Sequence, residues 1–371
     1  MDNDVLWFGR KRMAIAAIIG GLVLLTAGAE VLVRGAVGLA RAVGLPSLII
    51  GLTVVAFGTS APELAVSTRA GLAGQADIAL ANVVGSNIFN VLFILGLSAL
   101  IVPLAASAQL VRLDVPVMIG VCGLTWLFAV DGAIGRGEGI VLFVGVITYT
   151  ALLIYMGKRK PPVVKPSGTD VAANKPMPLG FSVVLVAIGL GLLVLGARWL
   201  VDGAVDLARL LGVSELVIGL TIVAAGTSLP EAATSVVAGL RGQRDIAIGN
   251  VVGSNIFNVL AVLGAAASIT PGGVRVAPEA LRFDIPVMMA VAVACLPIFY
   301  TGGRICRAEG AMFLAYYAAY VAFLVLTAVH HASLPVFKTA MLGFAVPLSA
   351  LGVGISIVLW RRTLHAARTP Q

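Results

Sequence analysis

The chain has 371 residues, of which 60% are hydrophobic and 11% charged, and its mean hydropathy is +1.05. One soluble core cannot hide that much apolar side chain, and the basic residues behind the net charge of +8 lie between apolar runs, not in one patch. The composition excludes a soluble globular domain and a nucleic-acid-binding protein, and indicates an integral membrane protein.

Apolar runs of about 18 to 25 residues, the length a helix needs to cross ~30 Å of hydrocarbon, recur along nearly the whole chain. They predict eleven spans, at 13–33, 46–72, 77–103, 112–130, 138–156, 179–201, 214–240, 245–270, 282–301, 309–330 and 339–360. A membrane β-barrel would show ten-residue alternating segments, and these runs do not alternate. Counted on alternate sides, 15 of the 25 Lys and Arg fall on one side, among them Arg34, Arg41, Arg112, Arg241, Arg304 and the five between Lys158 and Lys175. That side is expected to be cytoplasmic, with an outside N-terminus and an inside C-terminus. The "GRKR" at Gly9–Arg12 argues the other way. With the apolar run and "AGA" after it, this start has the outline of a signal peptide, but the run is long and its continuation is repeated later as an ordinary span. Cys122, Cys295 and Cys306 offer neither metal spacing nor an even disulfide set, and are expected to be packing residues.

The chain is duplicated. Residues 51–95 and 219–263 agree at 32 of 45 positions. "AEVLVRGAVGLAR" at 29–41 matches "ARWLVDGAVDLAR" at 197–209, and "VRLDVPVM" at 111–118 matches "LRFDIPVM" at 281–288. Each copy covers five spans, an odd number, so the second enters the membrane from the opposite side. Inverted repeats around a midplane site characterise secondary transporters. The expected organisation is a first repeat at 13–156, a polar, proline-rich cytoplasmic linker at 157–178, a second repeat at 179–330, and an extra helix with its tail at 331–371. The fold class is thus all-α and integral to the membrane, with two inverted five-helix repeats, ten core helices, plus one additional C-terminal transmembrane helix.

Within the oily spans sit two polar motifs, each present twice. "GTSAPE" places Thr59, Ser60 and Glu63 around Pro62, and "GTSLPE" places Thr227, Ser228 and Glu231 around Pro230. Proline cannot bond the carbonyl four residues back, so a kink is expected with the carbonyls of Gly58 and Gly226 relieved. Thr59 and Glu63 are four apart and share a face. "ANVVGSNIFNVL" adds Asn82, Ser86 and Asn90 on one stripe with Asn87 beside them, and its copy adds Asn250, Ser254, Asn258 and Asn255. A charge at mid-membrane costs roughly 2.5–3.5 kcal/mol or more, and neither motif contains a basic partner. Glu63 and Glu231 therefore read as functional. The hydroxyls could instead bond their own helices, and Asn82, Asn87, Asn250 and Asn255 could equally knit helices together. Two carboxylates with hydroxyl, amide and carbonyl oxygens, and no His or Cys, suit hard cations such as calcium or sodium.

Other charges carry a different expectation. Glu30 and Arg34 are four apart, and their copies Arg198 and Asp202 exchange the signs, which reads as an i,i+4 ion pair in each half. Asp114 and Asp284 begin spans and are expected at the membrane interface, as are His330, His331, Trp7 and Trp360.

The doubled "GTSxPE" and "VGSNIFN" motifs resemble the paired alpha-repeats of the calcium/cation antiporter superfamily, and within it the prokaryotic sodium/calcium exchanger family. The resemblance covers the first ten spans. It implies a central site between the second, third, seventh and eighth spans, with the first and sixth sliding to alternate access. The ligands it implies are Thr59, Ser60, Glu63, Ser86 and Asn90, then Thr227, Ser228, Glu231, Ser254 and Asn258, with backbone oxygens at Ala56 and Ala224. It implies calcium and sodium as transported partners, membrane lipid as surroundings, no cofactor, no obligatory protein partner and no enzymatic activity. "GTSxPE" is similar to the sodium-coupled branches, whereas proton-coupled relatives carry an Asn-Ala-x-Glu-type motif. Several relatives, including potassium-dependent ones, have aspartate where Asn258 stands, so no potassium requirement is expected. The eleventh span lies outside the ten-helix pattern, and the linker lacks the calcium-sensing insert of animal relatives. The expectation is a sodium/calcium antiporter of the inner membrane, with a calcium/proton antiporter as the alternative. An uncoupled calcium channel needs no inverted, occluded site, and an intramembrane enzyme using Ser60 or Ser228 lacks a His or Lys base.

Overall fold

In a computed structural model, residues 2–159, 177–300 and 303–347, with 350 and 354, are described. Helix α1 (Asp2–Val43) precedes a bent pair, α2 (Ser47–Thr59) and α3 (Ala61–Leu72), followed by α4 (Asp77–Ile101), α5 (Leu110–Ala129) and α6 (Arg136–Arg159). The second half repeats the order: α7 (Leu179–Leu210), α8 (215–226), α9 (Leu229–Leu240), α10 (Arg244–Ile269), α11 (Ala280–Tyr300) and α12 (Arg307–Ala328). A shorter α13 (Leu334–Ala340) ends this order.

Eight of these helices are long and apolar enough to cross a membrane, or nine with the bent pair taken as one span. The sequence analysis expects eleven. Its seventh span is the broken α8–α9 stretch, and its eleventh extends past 347 into residues mostly outside those described. Linker residues 160–176, Trp360, Arg361, Arg362 and Arg368, and the side chain of Trp7, also lie outside the described residues.

Burial grades inward. The apolar stretch of α10 is wholly buried and that of α4 largely so, whereas hardly any of α12 is fully buried. The outer helices turn Ile19, Leu22, Ile147 and Val183 outwards, an apolar belt whose solvent is hydrocarbon. Around the centre, α2 and α9 pack on α10, and α3 packs on α4.

Helices α1 and α7 run antiparallel in close contact through small residues at seven-residue spacing. A methyl added at Gly28 would lie 2.8 Å from the Leu193 amide, and one at Gly189 2.6 Å from that of Leu32. Only glycine allows backbones that near, and close backbone packing is the main attraction between helices in lipid. Two clips, absent from the sequence analysis, join the repeats. Strand β1 (Leu104–Ala105) pairs antiparallel with β4 (Arg304–Ile305), and β2 (Ala133–Ile134) with β3 (Val274–Arg275). Each unites a loop of one repeat with a loop of the other.

Candidate cation-binding site

The two proline motifs each break a span, as expected. Helices α2 and α3 meet at 45°, with the break at Ser60 (φ −80°, ψ 6°); Ser228 (φ −91°, ψ 8°) makes the matching break between α8 and α9. The prolines sit in the first turn of α3 and α9, where a missing N–H costs no helical bond. Glu63 and Glu231 sit in those same first turns. The free N–H groups and positive dipole end of each half-helix thus favour a carboxylate in the middle of the protein.

Both carboxylates are 0% exposed, and each is held by the opposite repeat. Glu63 Oε1 accepts from the Ser228 hydroxyl at 2.8 Å, with Ser86 Oγ at 3.5 Å and Ser86 3.1 Å from Ser228. Glu231 Oε1 accepts from Ser60 at 3.0 Å. Among the described residues, the other oxygen of each carboxylate, Oε2, has no hydrogen-bond partner. Asn90 Oδ1, Asn258 Oδ1 and Ser254 Oγ are likewise buried without partners. Asn90 and Asn258 open π-helical segments, Asn90–Leu95 and Asn258–Leu263, whose widened turns interrupt the regular ladder, a feature frequent at functional sites.

The remaining asparagines frame the site. Asn82 Nδ2 donates to Ser67 Oγ at 2.9 Å and to the Glu63 carbonyl at 3.3 Å; Asn250 makes the same pair with Ser235 and the Glu231 carbonyl. Asn250 Oδ1 accepts from Thr59 at 3.0 Å, and Asn82 Oδ1 from Thr227 at 3.4 Å. The two alternatives left open for Asn82 and Asn250 resolve toward knitting helices. Asn90 Nδ2 donates to Asn255 Oδ1 at 3.0 Å, and Asn258 Nδ2 to Asn87 Oδ1 at 3.1 Å. Ser67 and Ser235 were missed, although both lie four residues beyond a motif glutamate, on its helical face.

The structure does not bring every expected residue together. The Ala56 carbonyl already accepts the backbone N–H of Ser60 at 3.0 Å. Ala224 is exposed, and the Ser228 N–H reaches the Ala225 carbonyl instead. Asp114, expected at the membrane interface, is fully buried within the protein and accepts from the Tyr149 hydroxyl at 3.0 Å, because α6 packs a tyrosine over it. Asp284 has the matching partner, Tyr320, at 3.1 Å. Glu30 and Arg34 do pair, at 2.7 Å, but Glu30 also bridges to Arg241 on the neighbouring broken span at 2.7 Å. No ion pair joins Arg198 to Asp202 among the described residues, so that pair departs from expectation.

The halves differ in how tightly they close. Helix α2 lies against α10 so closely that a methyl at Gly253 would sit 2.7 Å from Ala56 Cβ and 2.8 Å from the Leu52 carbonyl. At the equivalent position between α8 and α4, Gly85 has nothing within 4 Å. Val223 is 49% exposed while its copy Val55 is 0% exposed. One seam beside the site is sealed and the other is open.

The unpartnered carboxylate oxygens at the two half-helix ends, with the amide and hydroxyl oxygens of α4 and α10, come from both repeats and are of the kind that could hold a hard cation. Among the described residues no group of three or more His, Cys, Asp or Glu could hold a metal ion. Comparison with known proteins agrees with the chemistry. The family model described as sodium/calcium exchanger protein matches residues 13–155 and 181–326. The chain is 41% identical over 313 residues to the putative antiporter CaxA of Alkalimonas amylolytica, covering 83% of this chain and 97% of that one. It is 33% identical to the sodium/calcium exchanger MaX1 of Methanosarcina acetivorans, over 82% of this chain and 96% of that one. Among solved structures, the sodium-calcium exchanger NCX_Mj soaked with sodium and strontium superposes with a TM-score of 0.71 at 31% identity, covering 84% of this chain and 98% of that one. A duplicated helical membrane fold, a buried oxygen site shared by its halves, and these matches place the chain in the sodium/calcium exchanger family of multi-pass membrane antiporters.

Proposed function

We propose that this protein exchanges sodium for calcium by alternating access, with both cations competing for the oxygens between the repeats. The observation that carries this is that five of the eight buried side-chain oxygens without partners among the described residues belong to the motif residues: Glu63 Oε2, Glu231 Oε2, Asn90 Oδ1, Asn258 Oδ1 and Ser254 Oγ. Buried polar atoms are costly unless satisfied, and an oxygen-only set with two carboxylates is satisfied by one calcium ion, which also cancels their charge. Sodium ions, each taking its own share of the same oxygens, displace calcium; competition at a site exposed to one side at a time is antiport. The remaining hydroxyls, of Thr59, Ser60, Ser86, Thr227 and Ser228, complete the ligand set from within hydrogen-bonding reach of the glutamates or their framing asparagines. Backbone oxygens at Ala56 and Ala224 join only if the helix ends rearrange on ion entry.

In this reading, residues 13–156 and 179–330 are the inverted repeats, α8 and α9 form the seventh of ten core spans, 157–178 is a cytoplasmic linker, and 331–371 carries the additional helix. The excess of Lys and Arg on one side orients the chain in the cell membrane with its N-terminus outside and its C-terminus in the cytoplasm. The sealed α2–α10 seam then faces the cytoplasm, and the open α4–α8 seam is the external route to the site. No cofactor or partner protein is needed beyond the ions and lipid. An exchange of three sodium ions for one calcium moves one net charge, which couples transport to voltage at ~2.3 kcal/mol per 100 mV.

The deciding experiment is calcium-45 uptake into proteoliposomes loaded with sodium, against potassium or choline at the same pH. Uptake with internal sodium alone supports the proposal. Uptake indifferent to sodium but driven by an imposed pH gradient assigns the alternative, calcium/proton antiport.

A further inference from the structure

Asparagine is an ambiguous ligand: its amide offers an oxygen on one side and a nitrogen donor on the other, and only the oxygen binds a cation. Asn90 and Asn258 each need something to decide which way they face, and the structure supplies a chain of contacts for each. Asn90 Nδ2 is drawn away from the site by Asn255 Oδ1 at 3.0 Å. Asn255 can present that oxygen because its own Nδ2 points the other way, onto the Met118 thioether sulfur at 3.5 Å. In the other repeat, Asn258 Nδ2 is held by Asn87 Oδ1 at 3.1 Å. Asn87 Nδ2 points to the Met288 sulfur at 3.6 Å and to the Asn255 carbonyl at 3.2 Å. Both methionines are fully or almost fully buried. The sequence copies agree, since "DVPVM" and "DIPVM" end on Met118 and Met288. Methionine sulfur is an acceptor and never a donor, so at the end of each chain it admits an N–H and nothing else.

We propose that Met118 and Met288, acting through Asn255 and Asn87, are positioning residues that turn the carbonyl oxygens of Asn90 and Asn258 toward the cation. Outer contacts that orient metal ligands have this effect generally, and their loss typically weakens metal binding ~10–100-fold. The two chains are unequal. For Asn255 Nδ2, Met118 is the acceptor found among the described residues. Asn87 Nδ2 keeps the Asn255 carbonyl when the sulfur is removed. Met118 therefore carries more of the orientation than Met288.

This inference rests on the proposed cation site, so the test reads calcium binding directly by equilibrium binding of calcium-45 to the purified full-length protein in detergent. Met→Leu conserves volume and deletes the acceptor. In M118L, Asn255 is free to turn its Nδ2 toward Asn90, which then turns its own nitrogen to the ion, and the expected loss of affinity is ~10-fold. M288L is expected to lose less. The decisive arm is a double-mutant cycle with N90D: an aspartate presents oxygen whichever way it turns, so adding M118L to N90D should change its affinity by less than about twofold. An equal loss in both backgrounds would show a packing effect and overturn the orienting role. Unchanged binding in M118L would overturn it too, as would a larger loss in M288L than in M118L. If the unmodified protein binds no calcium at all, it is the site reading that fails, and the orienting role fails with it. Size-exclusion profiles identify any variant that does not fold; if M118L is lost in this way, the M288L cycle with N258D, read by the same criteria, decides the matter.

Discussion

Replacing Glu63 by glutamine removes one charge from a wholly buried site while keeping the side chain's length and one acceptor oxygen. Ser228 can still donate to that oxygen, so the contact at 2.8 Å survives, and the oxygen that lacks a partner becomes an amide nitrogen. Two unit charges 4 Å apart at an effective dielectric of 20 attract by ~4 kcal/mol, a factor of about 10³ in affinity, and the double charge of calcium enlarges it. Calcium binding in Glu63→Gln should thus weaken by at least about 10³-fold, and sodium-driven calcium uptake should vanish. Stability should move the other way. A buried charge without a counter-ion is costly, so the ion-free variant should melt no lower than the unmodified protein, while the rise in melting temperature on adding calcium disappears. Uptake in proteoliposomes and thermal melting in detergent with and without calcium read the two effects separately. Near-normal uptake, or an intact calcium-induced rise in melting temperature, would refute the assignment of Glu63 as a ligand. Glu231→Gln should behave alike, because Ser60 stands to it as Ser228 does to Glu63.

The two seams predict opposite outcomes for one substitution. Gly253→Val drives a side chain into Ala56 and the Leu52 carbonyl, and overpacking of this kind typically costs ~1–3 kcal/mol, so its melting temperature should fall. Gly85→Val meets open space and should leave stability unchanged; if that seam must close during the cycle, its transport rate should drop sharply, and wild-type turnover in a stable Gly85→Val protein would count against alternation at this seam. A chain ended before Leu342 should retain calcium uptake, since no site residue lies beyond Asn258; a folded but inactive product would show that the C-terminal helix takes part in transport.

Much of the architecture was legible in one dimension because the physics behind it is local or periodic. Hydrocarbon thickness sets span length, so the helices of the described core were placed to within a few residues, apart from the long extensions of α1 and α7. Proline at Pro62 and Pro230 cannot complete a helical ladder, so both kinks could be foreseen. A carboxylate in an apolar run is too costly to be idle, which singled out Glu63 and Glu231, and the oxygen-only motifs narrowed the chemistry to hard cations. The π-helical turns at Asn90 and Asn258 were not foreseen, since nothing in the residue pattern marks where a helical turn widens.

What the tertiary structure alone decided is which surfaces meet. Nothing in the chain order shows that Ser228 serves Glu63 and Ser60 serves Glu231, because that exchange arises only when the inverted halves interlock. The same holds for Arg241 reaching Glu30 and for Tyr149 covering Asp114: an ion-pair spacing or a span boundary specifies position along one helix, not the neighbour that will arrive. Two sequence copies this alike also cannot say which seam is shut. By itself the sequence determined a duplicated membrane protein with a glutamate and a set of polar oxygens inside apolar spans of each copy; the packing of α2 on α10, and the gap left between α4 and α8, decided which seam is closed, because a closed and an open seam differ by a rigid shift of helices that leaves every residue unchanged.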